Sequence, residues 1–219
     1  MFVGHYSAAF AARAVDRDVP LWHLFVAVQL VDVAWAALVL LGIEKVRVVP
    51  GITRSNPLDL YYMPYTHSLV AAVLWSLAAA AGYRLVRGAA ATRRAMAMVG
   101  AAVLSHWVLD LIVHRPDLPL YDDTAKVGLG LWNLPVAAFV LEVGLLGAGV
   151  VVWRLGGPPA GATRAAVVLT VILAVAHLVF LLGPPPPSTS AIALTALVIF
   201  GLFAWGAARV DRAAARPEG

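Results

Sequence analysis

Six long apolar runs decide what this chain can fold into. They cover roughly 20–43, 65–87, 93–114, 132–153, 164–183 and 189–208. Each run can cross the hydrocarbon core of a bilayer as a helix, which takes about 20 apolar residues. Only 13% of the residues are charged, whereas about a quarter are charged in soluble domains. We therefore predict an all-α polytopic membrane protein, a single bundle of about six transmembrane helices.

A shorter apolar stretch, residues 2–14, precedes the first run. A helix rises about 1.5 Å per residue, so this stretch is too short to span the membrane. We predict a re-entrant or interfacial half-helix here.

The basic residues are distributed unevenly between the two sets of loops. Eleven arginines fall on one side: Arg13, Arg17, Arg84, Arg87, Arg93, Arg94, Arg154, Arg164, Arg209, Arg212 and Arg216. Five basic residues fall on the other: Lys45, Arg47, Arg54, Arg115 and Lys126. The positive-inside rule then predicts a multi-pass protein of the plasma (bacterial inner) membrane with a cytoplasmic C-terminus. Since topology explains the basic excess, we expect no nucleic-acid partner.

Ionisable side chains inside or at the ends of the apolar runs are the main functional signal. Asp32, His106, Asp110 and Glu142 lie inside runs, and His5 and His67 lie at the ends of others. A charged group near the bilayer centre costs about 3 kcal/mol on insertion scales, so such residues usually serve function. Carboxylates and imidazoles are also the ligands that Zn²⁺ and related ions prefer. The chain has no cysteine, which excludes a thiolate site.

The third run places two of these groups on one helix face. His106 and Asp110 are four residues apart, as are the two metal-binding histidines of an HExxH helix. From helical rise, His106 lies about 12 Å and Asp110 about 6 Å below the outer end of the run, and Asp32 about 16 Å below the outer end of its own. These depths favour one site in the outer half of the bundle. Depth does not say which way each side chain faces. The alternative for Asp32 is a purely structural acid that is hydrogen-bonded to Gln29 or to a tryptophan.

The chain resembles the YdjM-like family of predicted membrane-bound metal-dependent hydrolases. The motifs that carry the resemblance are Gly4-His5, Asp32, Thr66-His67-Ser68, Ser105-His106 with Leu109-Asp110, the segment from His114 to Leu120, and the segment from Gly128 to Asn133. The resemblance covers about residues 1–150. In two places the chain departs from the family pattern: VDVAW holds a single acid, and MPYTHS lacks an arginine before the THS motif. A site with fewer acids favours one metal ion.

The resemblance implies hydrolysis of a lipid or lipid-linked substrate by a metal-activated water. The expected metal is Zn²⁺, with Mn²⁺ or Fe²⁺ as alternatives. The expected ligands are His5, Asp32, His67, His106 and Asp110.

Further roles follow from the same hypothesis. Glu142 or Asp59 is expected as general base, and His114 as the proton donor to the leaving group. Asn133, Trp132 and Tyr62 are expected to contact the substrate beneath the long 44–64 loop. His23 and His177 are expected to be structural.

Two other functions compete with hydrolysis. Intramembrane acids and histidines also mark transporters and proton or ion pathways, although the polar groups here stay in the outer half. Bis-histidine haem ligation by His5 and His106 is the third possibility. We expect the chemistry in residues 1–154, and two accessory spans with a basic cytoplasmic tail in residues 155–219.

Overall fold

The computed structural model describes residues 1–215 and confirms an all-α polytopic membrane protein. Arg216, one of the loop arginines that indicate orientation, lies outside the described residues. Within them the helices are α1 (Tyr6–Val15), α2 (Leu21–Val28), α3 (Leu30–Leu40), α4 (Leu69–Arg87), α5 (Arg93–Val113), α6 (Pro135–Leu155), α7 (Ala160–Leu182) and α8 (Thr189–Ala214). Helices α4 to α8 are each long and apolar enough to cross a membrane, and α2 with α3 makes a sixth candidate span.

The first predicted span is broken into two helices. Helices α2 and α3 meet at 49°, because Gln29 between them has a non-helical backbone with φ −110° and ψ 6°. Gln29 is buried and its side-chain amide donates to the carbonyl of Phe2 at 3.4 Å. The break places Asp32 in the first turn of α3.

The N-terminal segment forms a half-helix inside the bundle. A 3₁₀ turn over Val3–His5 leads into α1, which packs against α2, α5 and α6. Phe10 and Tyr6 are fully buried. Gly149 of α6 permits the close approach, since a Cβ there would lie 2.6 Å from the carbonyl oxygen of Ser7. The half-helix is thus enclosed by other helices of the bundle, as expected for the re-entrant alternative.

A short antiparallel hairpin, which the sequence did not predict, occupies the long loop after α3. Its strands are β1 (Lys45–Val48) and β2 (Leu58–Tyr62), with an irregular register between Lys45 and Arg47. The 114–134 connection lies at the same end of the bundle. Its residues Pro119 and Leu120 accept hydrogen bonds from the first two backbone amides of α4. Together these loops cover the site described below.

The last two helices pack directly onto the first ones. Helix α8 contacts both α2 and α3. At the basic end, the carboxylate of Asp211 accepts hydrogen bonds from the backbone amides of Leu21 and Trp22, at 3.0 and 3.1 Å. These bonds satisfy amide groups that the first turn of α2 leaves unpaired. The described helices therefore form one bundle.

Candidate metal centre

The five predicted metal ligands converge, although they come from four separate parts of the chain. His5 ends the 3₁₀ turn, Asp32 opens α3, His67 precedes α4, and His106 and Asp110 lie on α5. All except Asp32 are buried, and Asp32 exposes 20% of its side chain. They form two overlapping groups with the spacing of metal ligands, His5 with His106 and Asp110, and Asp32 with His67 and His106.

Asp110 stands at the centre of this cluster. Its Oδ1 lies 3.2 Å from Nε2 of His5, and its Oδ2 lies 3.2 Å from Nε2 of His106 and 3.8 Å from Nε2 of His67. The amino group of Met1 also donates to Oδ1. A carboxylate surrounded by imidazole nitrogens in this way is well placed to share a cation with them.

The second carboxylate completes the arrangement. Asp32 Oδ1 lies 3.2 Å from Nε2 of His67 and 3.6 Å from Nε2 of His106. Four ligands bound tetrahedrally at zinc distances are separated from one another by roughly 3.4 Å. The four imidazole–carboxylate separations between His67 or His106 and Asp32 or Asp110 are 3.2 to 3.8 Å, close to that value.

Hydrogen bonding fixes which nitrogen of His106 faces the cluster. Its Nδ1 donates to the carbonyl of Val28 at 2.7 Å, which leaves Nε2 with a free lone pair. That Nε2 is buried and makes no hydrogen bond within residues 1–215. This nitrogen lies 3.2 Å from Asp110 Oδ2 and 3.6 Å from Asp32 Oδ1. A lone pair buried against two carboxylates is unfavourable unless a proton or a metal ion lies between them.

A similar arrangement orients His67. Its Nδ1 lies 2.7 Å from the hydroxyl of Thr66, and this hydroxyl donates to Glu44 Oε2 at 2.7 Å. The same carboxylate accepts the backbone amides of Tyr65 and Thr66. Burial raises the pKa of Glu44 above its usual value, against the lowering effects of His67 and of the hydrogen bonds from Thr66 and Tyr65. Glu44 was not predicted from the sequence, because it lies in a loop and has no fixed spacing from His67.

His114 joins the centre from the end of α5. Its Nε2 lies 3.5 Å from Oδ2 of Asp110, and its Nδ1 lies 2.8 Å from Asp117 Oδ1. Arg115 donates to the other oxygen of Asp117 at 3.0 Å. The imidazole also packs on Trp132, with 4.3 Å between the ring centroids. The structure therefore brings His114 to the cluster, while its role as proton donor stays a prediction.

The two predicted general bases have other partners. Asp59 is paired with Arg115 and with Arg47, whose Nε donates to it at 3.1 Å. Glu142 is buried and accepts the backbone amides of Phe2 at 2.7 Å and Gly4 at 3.2 Å. Glu142 thus holds the turn that carries His5, and Asp59 ties the hairpin to the loop after α5. A base role for either one stays a prediction.

The predicted substrate contacts divide into two groups. Trp132 is buried and lines a cavity beside the cluster. Asn133 is exposed, and neither it nor Tyr62 lines this cavity. The Tyr62 hydroxyl lies 3.4 Å from that of Tyr65, and this contact raises the pKa of Tyr62 to about 12. A substrate role for Asn133 and Tyr62 stays a prediction.

The geometry does not suit the haem alternative. The rings of His5 and His106 are stacked, with 3.8 Å between centroids and 7° between planes. Axial haem ligands point their nitrogens at each other through the iron, whereas these two rings present their faces.

Comparison with known proteins found no relative of this chain. No family model matches the chain, and no curated protein and no solved structure is similar to it. The interpretation of the site therefore depends on its own geometry.

Proposed function

We propose that this membrane protein is a metal-dependent hydrolase of a lipid or lipid-linked substrate, as its resemblance to the YdjM-like family suggests. The observation that carries the proposal is the convergence of three histidines and two aspartates beside a cavity. Asp32, His67 and Asp110 line that cavity directly. Ionisable side chains gathered this way inside apolar helices are costly to bury and usually serve a function.

We propose that the centre holds one metal ion. Zn²⁺ is the preferred candidate, and Mn²⁺ and Fe²⁺ are the alternatives. Both ligand groups contain His106, and its Nδ1 is engaged by Val28. A single free nitrogen binds a single metal ion, so the two groups describe one centre. Asp32, His67, His106 and Asp110 form the proposed ligand set, with His5 beside Asp110.

The ion, when bound, supplies Lewis-acid chemistry that activates water and polarises the substrate's ester, amide or phosphoryl oxygen. The chain supplies the remaining functions. Asp117 keeps Nε2 of His114 directed at the centre, where His114 can pass a proton to the leaving group. Trp132 packs over that imidazole and shields it from bulk water.

The cavity beside the cluster also supports the proposal that the substrate is a lipid. Its volume is about 140 Å³. Beyond the cluster its walls come mainly from α6, α7 and α8, through Phe139, Phe180, Leu181, Ile192, Ile199 and Phe200. Apolar walls beside a polar centre fit an amphiphile whose head group meets the metal. With the topology predicted from the arginines, the centre would face the outer side of a bacterial inner membrane.

The transport alternative receives less support from the packing below the site. On α5, Val103 and Val99 follow His106 toward the basic end, and both are buried in a large apolar cluster with Tyr6 and Phe10. An ion pathway needs polar groups along its whole length. Within the described residues, this layer offers an apolar barrier.

A chelator-controlled lipid digestion tests the proposal. Purified protein is incubated with a total lipid extract, and the products are followed by mass spectrometry. We expect new products with wild type, and none after chelation or in Asp110→Asn. Asp123→Asn, which changes a surface acid paired with Lys126, should retain activity. Equal product formation with and without metal would overturn the proposal.

A further inference from the structure

The apolar part of the cavity contains a second polar position, formed by His177 of α7 and Glu142 of α6. Both residues line the cavity. From the sequence, His177 was expected to be structural because it is isolated in an apolar helix. Its environment is not that of a satisfied core histidine.

His177 is buried but has no hydrogen-bond partner. It exposes only 7% of its surface, and neither ring nitrogen makes a hydrogen bond within residues 1–215. Phe139 stacks on the imidazole with 5.3 Å between centroids and 4° between planes, and Phe2 lies 5.8 Å away. The ring is thus held by aromatic packing, while its polar atoms remain available in the cavity.

Glu142 faces the same space. Its Oε2 accepts the backbone amides of Phe2 and Gly4, and its Oε1 lies 3.9 Å from Nε2 of His177. That separation is too long for a hydrogen bond. Glu142 Oε1 can therefore accept a hydrogen bond, and the His177 imidazole can donate one, to a third group lying beside both. A group that both donates and accepts hydrogen bonds would satisfy the two side chains.

His177 and Glu142 together favour binding of a neutral polar group over an anionic one. A hydroxyl donates to the carboxylate and accepts from the imidazole, whereas a phosphate or carboxylate would be repelled by Glu142. The position is also close to the metal centre. Asp110 is bound by the amino group of Met1 and Glu142 by the amide of the next residue, Phe2.

The apolar walls lead from this position to the surface of the bundle. Phe180 and Thr195 line the cavity and are themselves exposed. A hydrocarbon chain can therefore extend from the His177–Glu142 position toward surrounding lipid.

We propose that His177 and Glu142 form a subsite for a hydroxyl group of an amphiphile, so that the substrate is a hydroxyl-bearing lipid such as a glycerol-based one. This inference deepens the proposed function and rests on it for the place of the reacting group. The hydroxyl is recognised between the metal centre and the hydrocarbon chain.

A pair of non-hydrolysable ether lipids tests the subsite without any turnover. The probes are 1-O-hexadecylglycerol and its 2,3-dimethyl ether, which share a chain but differ in hydroxyl groups. Binding to the purified full chain is measured by native mass spectrometry. We expect wild type to prefer the diol by roughly fivefold to tenfold, the effect of about one net hydrogen bond.

Variants assign the preference to His177. His177→Phe keeps an aromatic ring but loses both nitrogens, and it should bind the two lipids equally. His177→Gln restores a hydrogen-bonding group and should recover part of the preference. His23→Phe, which changes a histidine lying against Tyr83 away from the cavity, should behave as wild type.

The outcomes separate the subsite from the metal centre. Equal or absent binding of the two lipids by wild type, or an unchanged preference in His177→Phe, would overturn the subsite. The metal content measured on the same samples reports on the proposed function independently. A preference that persists in chelated protein would support the subsite even if the metal centre fails.

Discussion

Nε2 of His106 lies 3.2 Å from Oδ2 of Asp110, one helical turn further along α5. The opposite nitrogen of His106 is held by the carbonyl of Val28. One helix therefore presents an imidazole and a carboxylate to the same point, and a neighbouring helix fixes the orientation of the imidazole. This relationship is the fixed part of the candidate metal centre, and the other ligands approach it from separate segments.

The hydroxyl of Thr66 is expected to support metal affinity through His67. Thr66→Val removes the link between Glu44 and Nδ1 of His67, and loss of such an orienting partner typically costs 10- to 100-fold in affinity. Competition with a chromophoric zinc chelator measures the effect. Thr170→Val is the matched control, since it loses only a bond to the carbonyl of Ala166. Unchanged affinity in Thr66→Val would contradict this role.

The buried carboxyl of Glu44 is expected to make stability depend on pH. Its pKa is raised on folding, chiefly by burial, so its contribution to the free energy of unfolding is present below the unfolded pKa, about 4.3, and is lost as pH rises through the folded pKa. The difference in Tm between metal-free wild type and Glu44→Gln should therefore decrease from pH 4 to pH 7. A Tm difference that grows from pH 4 to pH 7 would mean that folding lowers the pKa of Glu44, and it would contradict this prediction.

The close packing of α1 on α6 is expected to depend on Gly149. In Gly149→Ala the new Cβ would meet backbone atoms of Ser7 at 2.6 to 3.0 Å, and such overpacking costs about 1 to 3 kcal/mol. Gly147→Ala has open space around its Cβ, so it should be neutral or gain up to about 1 kcal/mol from helix propensity. Thermal unfolding in one detergent compares them. Equal Tm values for the two variants would contradict the packing of α1.

The membrane spans could be predicted because they depend on length and hydropathy alone. The pairing of His106 with Asp110 could also be predicted, since both lie on one helix with a fixed period. The approach of His5 to this pair could not be predicted. Helical rise gives the depth of His5 in the membrane, but the direction of its side chain depends on the 3₁₀ turn whose backbone amides Glu142 binds. Glu44 was missed because its link to His67 passes through a loop and the hydroxyl of Thr66.

The break at Gln29 and the role of His177 could not be predicted from the sequence either. No proline or glycine lies between residues 21 and 41 to mark Gln29 as the bend. The bend arises where the side-chain amide of Gln29 meets the N-terminal segment. A lone histidine in an apolar helix is usually structural. Only the packed bundle shows that neither nitrogen of His177 has a hydrogen-bond partner within the described residues.

The metal content of the purified protein tests the central claim most directly. Protein prepared without chelators is analysed by inductively coupled plasma mass spectrometry, beside His106→Ala and Asp110→Ala, with His23→Ala and Asp123→Ala as matched controls. We expect about one Zn²⁺, Mn²⁺ or Fe²⁺ per chain in wild type and controls, because His106 has one free nitrogen for one ion. Both site variants should lose it. A metal-free wild type, or full metal content in both site variants, would contradict the account.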